Sequence, residues 1–153
     1  MTIIRWHYTV GARLAAILGD RAIRPATAGV RLPEIPVVWF TESPQWEQTA
    51  NKNLLEPGGG LRFLDRGETA RVGGGLIRIG VSPASAPRPY RDLSKIARAT
   101  AATVHHLTRV AKSKGSLVGL WYFSVVPITD DAWIAIEGYD GTGWHSIAQK
   151  HPA

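Results

Sequence analysis

The chain has 153 residues, of which 44% are hydrophobic and 20% are charged, and its formal net charge is +6. This composition excludes wholesale disorder, and the length is that of one globular domain, residues 1–153. The sequence contains no cysteine, which excludes disulfides, thiolate nucleophiles and zinc–cysteine sites.

The sequence also predicts where the protein works and what kind of partner it meets. Its first residues, M-T-I-I-R-W-H, lack the basic segment and the apolar run of a signal peptide. No window approaches the roughly 18 apolar residues of a membrane-spanning helix. We therefore expect a cytoplasmic protein with no membrane association. The net charge favours an acidic partner, although the basic residues are scattered along the chain.

The first 50 residues predict a strand, a helix and a second strand. Residues 2–9 are rich in β-branched and aromatic residues, which favours a strand. An apolar stripe over residues 11–18 predicts a short helix that ends at Gly19. Residues 37–41, V-V-W-F-T, follow Pro36 and form a nearly continuous apolar run, which indicates a buried strand.

The middle of the chain is rich in glycine. Gly58–Gly60 and Gly73–Gly75 each precede a leucine, so both predict a turn that leads into a strand, as a hairpin or a flexible flap. Neither stretch fits a phosphate-binding fingerprint. Residues 76–81, L-I-R-I-G-V, alternate and predict a strand.

The last third predicts one long helix and three strands. Apolar residues follow a single stripe over residues 92–112, which predicts one continuous helix. Strands are expected over residues 118–126, 132–139 and 143–148, with D-G-T-G as a hairpin turn between the last two. This order of elements predicts an α+β domain with mostly antiparallel sheets.

Three residues are candidates for chemistry. His7 lies between two large aromatic residues on the first strand, as a buried core histidine or as part of a ligand pocket; its position alone leaves both interpretations open. Strand alternation places Glu137 on one face with Trp133 and Ala135, either at a solvated rim or at the mouth of a cleft. Glu47, after Trp46, is the other plausible acid. No histidine pair has the spacing of a metal site, so we expect no bound metal.

Three separated segments together resemble a known family. They are R-W-H-Y-T with the following L-A-A-I-L-G-D-R-A-I-R-P, then V-V-W-F-T-E-S-P, then W-I-A-I-E. In this order they resemble the diphtheria-toxin-like branch of the ADP-ribosyltransferase superfamily, near the DNA-targeting ADP-ribosyltransferase toxins and the RNA 2′-phosphotransferases. The resemblance covers about the first 50 residues well and the last 35 loosely.

The resemblance implies a fold and a site. The fold would be two small, mainly antiparallel sheets around an NAD cleft, with flanking helices. NAD would be the substrate, with His7 donating a hydrogen bond to a ribose hydroxyl and Glu137 stabilising the oxocarbenium-like transition state. The residues that the resemblance assigns to NAD binding are Tyr8, Thr9, Arg13, Trp39, Phe40, Thr41 and Ser43. A tyrosine of the family pattern is replaced here by Trp39 and Phe40.

The resemblance also implies an activity, with two alternatives. The implied activity is NAD-dependent ADP-ribosyl transfer to a protein or a nucleic acid, as in a bacterial or phage toxin or effector. The first alternative is a non-catalytic basic binding module or inhibitor on the same scaffold. The second is an NAD-dependent RNA 2′-phosphotransferase. The enzymatic interpretation requires His7, Phe40 and Glu137 to converge on one cleft.

Overall fold

The computed structural model describes residues 2–147, which form four helices and eleven strands. The helices are α1 Gly11–Asp20, α2 Arg66–Gly73, α3 Leu93–Ala97 and α4 Ala101–Lys114. The strands are β1 Arg5–Val10, β2 Ala22–Ile23, β3 Val38–Thr41, β4 Asn53–Leu55, β5 Leu61–Phe63, β6 Leu76–Val81, β7 Arg88–Pro89, β8 Trp121–Ser124, β9 Ile128–Thr129, β10 Trp133–Tyr139 and β11 Trp144–Ser146.

Seven strands form one antiparallel sheet in the order β11-β10-β6-β1-β3-β8-β7. Two small antiparallel pairs lie outside it: β2-β9, whose strands are far apart in sequence, and the hairpin β4-β5. The predicted antiparallel α+β architecture is therefore confirmed. The expectation of two separate small sheets is wrong, because β1 and β3 join the two halves into a single sheet.

The junction between β1 and β3 is the weakest line of this sheet, and we call it the seam. β1 pairs with β6 along six residues, whereas β1 and β3 share one registered pair, Trp6 with Thr41. Beyond that pair the two strands separate. The sheet thus divides at the seam into a four-stranded part and a three-stranded part.

The two faces of the sheet are covered by different helices. On the α1 face, Phe40, Ile79 and Val81 form a core against Ile17 and Leu18 of α1. The opposite face, which we call the α4 face, has two clusters. One joins the sheet to α3 and α4 and contains Trp121, Phe123, Leu93, Ala97 and Ala111, and the other contains Trp6, Tyr8, Val10, Trp46 and Leu76.

The predicted helix over residues 11–18 is confirmed and continues to Asp20. It ends where Arg21 adopts a left-handed conformation (φ 54°), and the backbone N–H of Arg21 caps the carbonyls of the last turn. The predicted strands over 37–41 and 76–81 correspond to β3 and β6.

The two glycine triplets have different roles, which corrects part of the prediction. Gly58–Gly60 is the tip of the β4–β5 hairpin, as expected. Gly73–Gly75 also leads into a strand, β6, as expected, but it does so from the end of α2, a helix that the sequence pattern did not predict, and not in a hairpin or a flap. Asp65 begins α2 with a capping box shared with Glu68, and Gly74 ends it with a left-handed φ of 79°.

The single helix predicted over residues 92–112 is wrong, because the chain breaks between α3 and α4. Arg98 adopts a left-handed φ of 57° after α3. Thr100 then starts a new helix, since its side chain accepts a hydrogen bond from the Thr103 N–H. The break turns α4 across the sheet and over the seam.

Three late strands are present as predicted, with shorter bounds. β8, β10 and β11 lie within the predicted segments, and residue 148, the end of the last predicted strand, lies outside the described residues. Within residues 2–147, no helix is long and apolar enough to cross a bilayer.

Candidate functional site

A cavity of about 420 Å³ lies at the seam, between the separating strands and α4. Its size is within the range of small-molecule sites. Aromatic side chains, two histidines, one carboxylate and one ammonium group line it: Trp6, His7, Tyr8, Trp39, Phe40, Glu47, Lys52, His106 and Trp121 are among its walls. The lining is therefore mainly apolar with a few convergent polar groups, which is typical of binding sites.

His7 fills the gap that opens where β1 and β3 separate. Its Nδ1 lies 2.9 Å from the carbonyl oxygen of Trp39, and its ring lies 5.8 Å from that of Phe40. Because a carbonyl oxygen only accepts, Nδ1 carries the proton and donates it. Nε2 makes no hydrogen bond to another of residues 2–147, so in the neutral ring it is left as an acceptor.

Burial keeps the His7 ring neutral. Desolvation lowers the pKa of His7 below its ordinary value of 6.5, while the Trp39 hydrogen bond opposes that shift and the charge of Lys52 adds to it. His7 is thus a neutral acceptor at neutral pH. A neutral ring whose proton is on Nδ1 has no N–H at Nε2, so the donor role that the resemblance implies for His7 does not match this tautomer.

The cavity walls are large flat rings. Trp39 packs against Trp121 at a centroid distance of 5.7 Å, nearly edge to face, and both line the cavity. Tyr8 is buried on the same face, and its hydroxyl donates to the carbonyl of Ser43 at 2.5 Å. Burial raises the pKa of Tyr8 to about 12, so the phenol stays protonated.

Glu47 is the carboxylate of the cavity. It accepts hydrogen bonds from the N–H and hydroxyl of Thr49, from the Ser116 hydroxyl and, at 2.9 Å, from the indole N–H of Trp121. None of these donors is a cation, and no ion pair to Glu47 occurs within residues 2–147. The side chain is therefore fixed in place by neutral donors and keeps its negative charge unpaired.

A cationic group lies beside the same cavity. Burial, and to a smaller extent the nearby charge of Arg13, lowers the pKa of the Lys52 ammonium group. Arg13 does not line the cavity, but it is close enough to Lys52 for the two charges to repel. An anionic ligand at this end would relieve that repulsion.

A second cavity of about 490 Å³ adjoins the first along α4. The two share Ala26, Trp39, His106 and Leu107 in their linings. The lining of the second cavity is mainly alanine, valine and leucine, and its carboxylate, Glu34, already accepts a hydrogen bond from Thr103. The convergent polar groups are therefore in the cavity at the seam.

Glu137 is not part of this cavity, and the predicted convergence of His7, Phe40 and Glu137 is wrong. In antiparallel register, His7 lies opposite Ile79 and Tyr8 lies opposite Arg78, which lies opposite Glu137. Directly opposed residues project from the same face, so Glu137 shares the α4 face with Tyr8 while His7 belongs to the other face.

Strand order is the physical reason for this outcome, because β6 lies between β10 and β1 and separates Glu137 from the cavity. A β-bulge sets the face that Glu137 occupies. Trp133 pairs with Val81, but the register shifts before Ala135 pairs with Gly80. The extra residue, Ile134, reverses the alternation that the sequence predicted, so Glu137 lies on the α4 face rather than on the face of Trp133 and His7.

The Glu137 carboxylate is instead held by a cation. Arg78 binds it through Nε at 2.8 Å, and the Arg78 guanidinium lies 3.8 Å above the ring of Trp6 and 4.5 Å from that of Trp144. Only 11% of the Arg78 side chain and 20% of that of Glu137 are exposed. The pair cross-links β6 and β10 rather than facing a ligand.

Five of the nine predicted site residues line the cavity: His7, Tyr8, Trp39, Phe40 and Thr41. Thr9 is buried away from it, Ser43 contributes its carbonyl to Tyr8, and Arg13 stands near Lys52. Lys52, Trp121 and Thr49 were not predicted as site residues. No sequence signal marks them; Thr49 reaches the lining because its N–H and hydroxyl donate to Glu47.

The comparisons with other proteins add no identification. No family model matches the chain, and no curated protein or solved structure is detectably similar to it. Within residues 2–147, no group of three or more histidine, aspartate or glutamate side chains is placed to hold a metal ion. The chemistry of the seam cavity is the basis for any functional assignment.

Proposed function

We propose that this chain binds NAD in the seam cavity and transfers its ADP-ribosyl group, with Glu47 rather than Glu137 as the catalytic carboxylate. The interpretation that required Glu137 in the cleft fails, and the proposal depends on Glu47 in its place. The observation that carries the proposal is the seam cavity itself. A neutral histidine acceptor, an unpaired carboxylate and an ammonium group meet there among aromatic rings.

Three parts of NAD have a matching group in or beside this lining. The flat, cationic nicotinamide ring suits the face of Trp39 or Trp121. A ribose hydroxyl would donate to Nε2 of His7, whose tautomer is fixed by the Trp39 carbonyl. The pyrophosphate would lie at Lys52, with Arg13 next to it.

The proposed reaction breaks the bond between nicotinamide nitrogen and ribose C1′. Nicotinamide leaves with the bonding electrons, and the positive charge that develops on the ribosyl group is stabilised by the Glu47 carboxylate. An acceptor oxygen or nitrogen then bonds to C1′ and releases its proton. A carboxylate without a cationic partner suits this role, because no neighbouring ion pair offsets its field.

Calorimetric titration with NAD, together with chromatographic detection of released nicotinamide, tests the proposal without a known acceptor, since water can accept the group. We expect wild-type binding, weaker binding in His7→Ala, and retained binding without nicotinamide release in Glu47→Gln. His105→Ala is the control, because His105 is exposed on α4 and does not line the cavity. Absence of NAD binding at millimolar concentration would overturn the proposal.

A second candidate is the non-catalytic binding module on the same scaffold. It is favoured by one observation: Glu47 already receives four hydrogen bonds, so a purely structural role is available to it. NAD binding with no nicotinamide release by the wild-type chain, with every added acceptor, would select this candidate. No feature of the cavity favours the RNA 2′-phosphotransferase alternative.

A further inference from the structure

The positive charge of this protein is concentrated in one segment. Residues 88–114 contain seven basic residues and one acidic residue, a net charge of +6, whereas the rest of the sequence contains eleven of each and is neutral. The segment runs from β7 through α3 to the end of α4, and it packs as one layer on the α4 face. The whole excess charge therefore lies on one side of the sheet.

The basic side chains of this layer are available to a partner. Six of them are exposed: Arg88, Arg91, Lys95, Arg98, Arg109 and Lys112. The seventh, Lys114, is half-buried beside the ring of Phe63. None of the seven forms an ion pair within residues 2–147, although Arg5, Arg21, Arg24, Arg62 and Arg78 all do.

α4 arranges part of this charge in a line. His105, Arg109 and Lys112 are spaced i, i+4, i+7 and share one exposed face, and the helix contains no acidic residue. The three positions span roughly 10 Å along the helix. Arg109 also lies against His106, which lines both cavities, so the line of charge passes the cavity mouth.

We propose that the layer formed by residues 88–114 is a docking surface for the phosphate backbone of a single-stranded nucleic acid, which would run along α4 past His106. Phosphate oxygens match unpaired guanidinium and ammonium groups. The aromatic lining of the adjoining cavity suits an unstacked base, and single-strand sites combine a basic track with such rings.

The same surface suits other acidic partners poorly. No large hydrophobic side chain is exposed anywhere in residues 88–114, whereas such residues are exposed on β4, β5 and several loops. An anionic membrane is bound by amphipathic helices that bury an apolar face. A protein partner is bound chiefly through buried aromatic and apolar anchors. A surface of charge alone fits a polyphosphate backbone.

Fluorescence anisotropy with a labelled oligothymidylate of about 20 nucleotides tests the docking surface. The assay contains no NAD, so its result is independent of the proposed function. We expect Arg109→Gln/Lys112→Gln to weaken binding about tenfold or more at low salt, and to lower the slope of log K against log salt by about 1.4 for two lost contacts. Competition with polyglutamate and with anionic vesicles tests the other partners.

The matched control is Arg21→Gln/Arg71→Gln, which removes the same charge outside the layer from two exposed positions. We expect it to change the affinity by less than about twofold, because net charge alone gives only diffuse attraction. Three outcomes would overturn the proposal: no oligonucleotide binding, equal losses in the two double variants, or binding to polyglutamate or vesicles that matches or exceeds binding to the oligonucleotide.

Discussion

His7 is fixed in one protonation state by its surroundings. Its Nδ1–H is committed to the Trp39 carbonyl, and burial lowers its pKa below 6.5. A neutral imidazole with a defined tautomer presents one constant acceptor to a ligand. The sequence left open whether His7 is a core residue or a pocket residue, and it is both. It fills the gap at the seam and it lines the cavity.

This state predicts an acid-sensitive stability. Since the folded-state pKa of His7 is below the unfolded value, the unfolded chain binds the proton first as pH falls. The contribution of His7 to the free energy of unfolding is complete above about pH 6.5 and declines below it, down to the folded-state pKa. Urea unfolding of wild type and His7→Asn at pH 7.5 and pH 5 should show a smaller decline in the variant.

The control for this comparison is His105→Asn, at an exposed position of α4 that makes no contact with the cavity. It should keep the wild-type decline. An equal decline in wild type and His7→Asn would show that His7 is not desolvated in the folded protein.

Glu137 should behave as a structural residue. In Glu137→Gln, Arg78 loses the carboxylate that offsets its partly buried charge, and we expect the free energy of unfolding to fall by about 1–2 kcal/mol. NAD affinity should stay within about twofold, because Glu137 does not line the seam cavity. Denaturant unfolding and calorimetric titration measure the two effects, and a loss of NAD affinity in a folded Glu137→Gln protein would contradict the assignment.

At the scale of elements, the two glycine triplets show that one sequence pattern can occur in two different structures. Gly58–Gly60 and Gly73–Gly75 are alike in sequence, but the first turns a hairpin in open space and the second lets α2 pack against β1. A Cβ on Gly73 would lie 2.6 Å from the Val10 side chain, whereas a Cβ on Gly58 would meet no atom within 4 Å.

This difference predicts that alanine lowers the free energy of unfolding at Gly73 and leaves it nearly unchanged at Gly58. We expect Gly73→Ala to lower the free energy of unfolding by about 1–3 kcal/mol through overpacking. Gly58→Ala should change it by less than about 0.5 kcal/mol, as at most surface positions. Thermal or urea unfolding of both variants measures the contrast, and a neutral Gly73→Ala would show that α2 can shift away from β1 at little cost.

The elements with strong periodicity were predictable, and their interruptions were not. The strands around residues 5–10, 38–41 and 76–81 follow from runs of apolar and β-branched residues. The break at Arg98 depends on a left-handed arginine, which no pattern marks, and the cap at Thr100 is visible only once the break is known. α2 was missed because its mostly polar sequence has no apolar stripe.

At the scale of the whole molecule, the position of Glu137 depended on strand order and on one β-bulge, and the sequence pattern shows neither. β6 lies between β10 and β1, and the bulged residue in β10 reverses the face of Glu137, so a correct strand prediction still gave His7 a wrong partner. The basic segment, by contrast, can be located from the sequence alone. The basic and acidic residues outside residues 88–114 are equal in total, eleven of each, and folding places the basic segment 88–114 on one face.

A ligand at the seam would contact both parts of the sheet. β1 and β3 are joined by one registered pair and by the His7 hydrogen bond, so the four-stranded and three-stranded parts have little to hold them together at that line. A ligand that contacts both strands would bridge the two parts. Because it binds only the folded chain, it would also raise the free energy of unfolding by mass action.

NAD should therefore raise the thermal midpoint. At a concentration of about 100 times Kd, binding adds about 2.7 kcal/mol, which for a chain of this length corresponds to about 5–11 °C. Differential scanning fluorimetry should show this rise in wild type and in the His105→Ala control, and a much smaller rise in His7→Ala relative to its own ligand-free midpoint. An equal rise in all three proteins would place the NAD site away from the seam, because His7 lines that cavity and His105 does not.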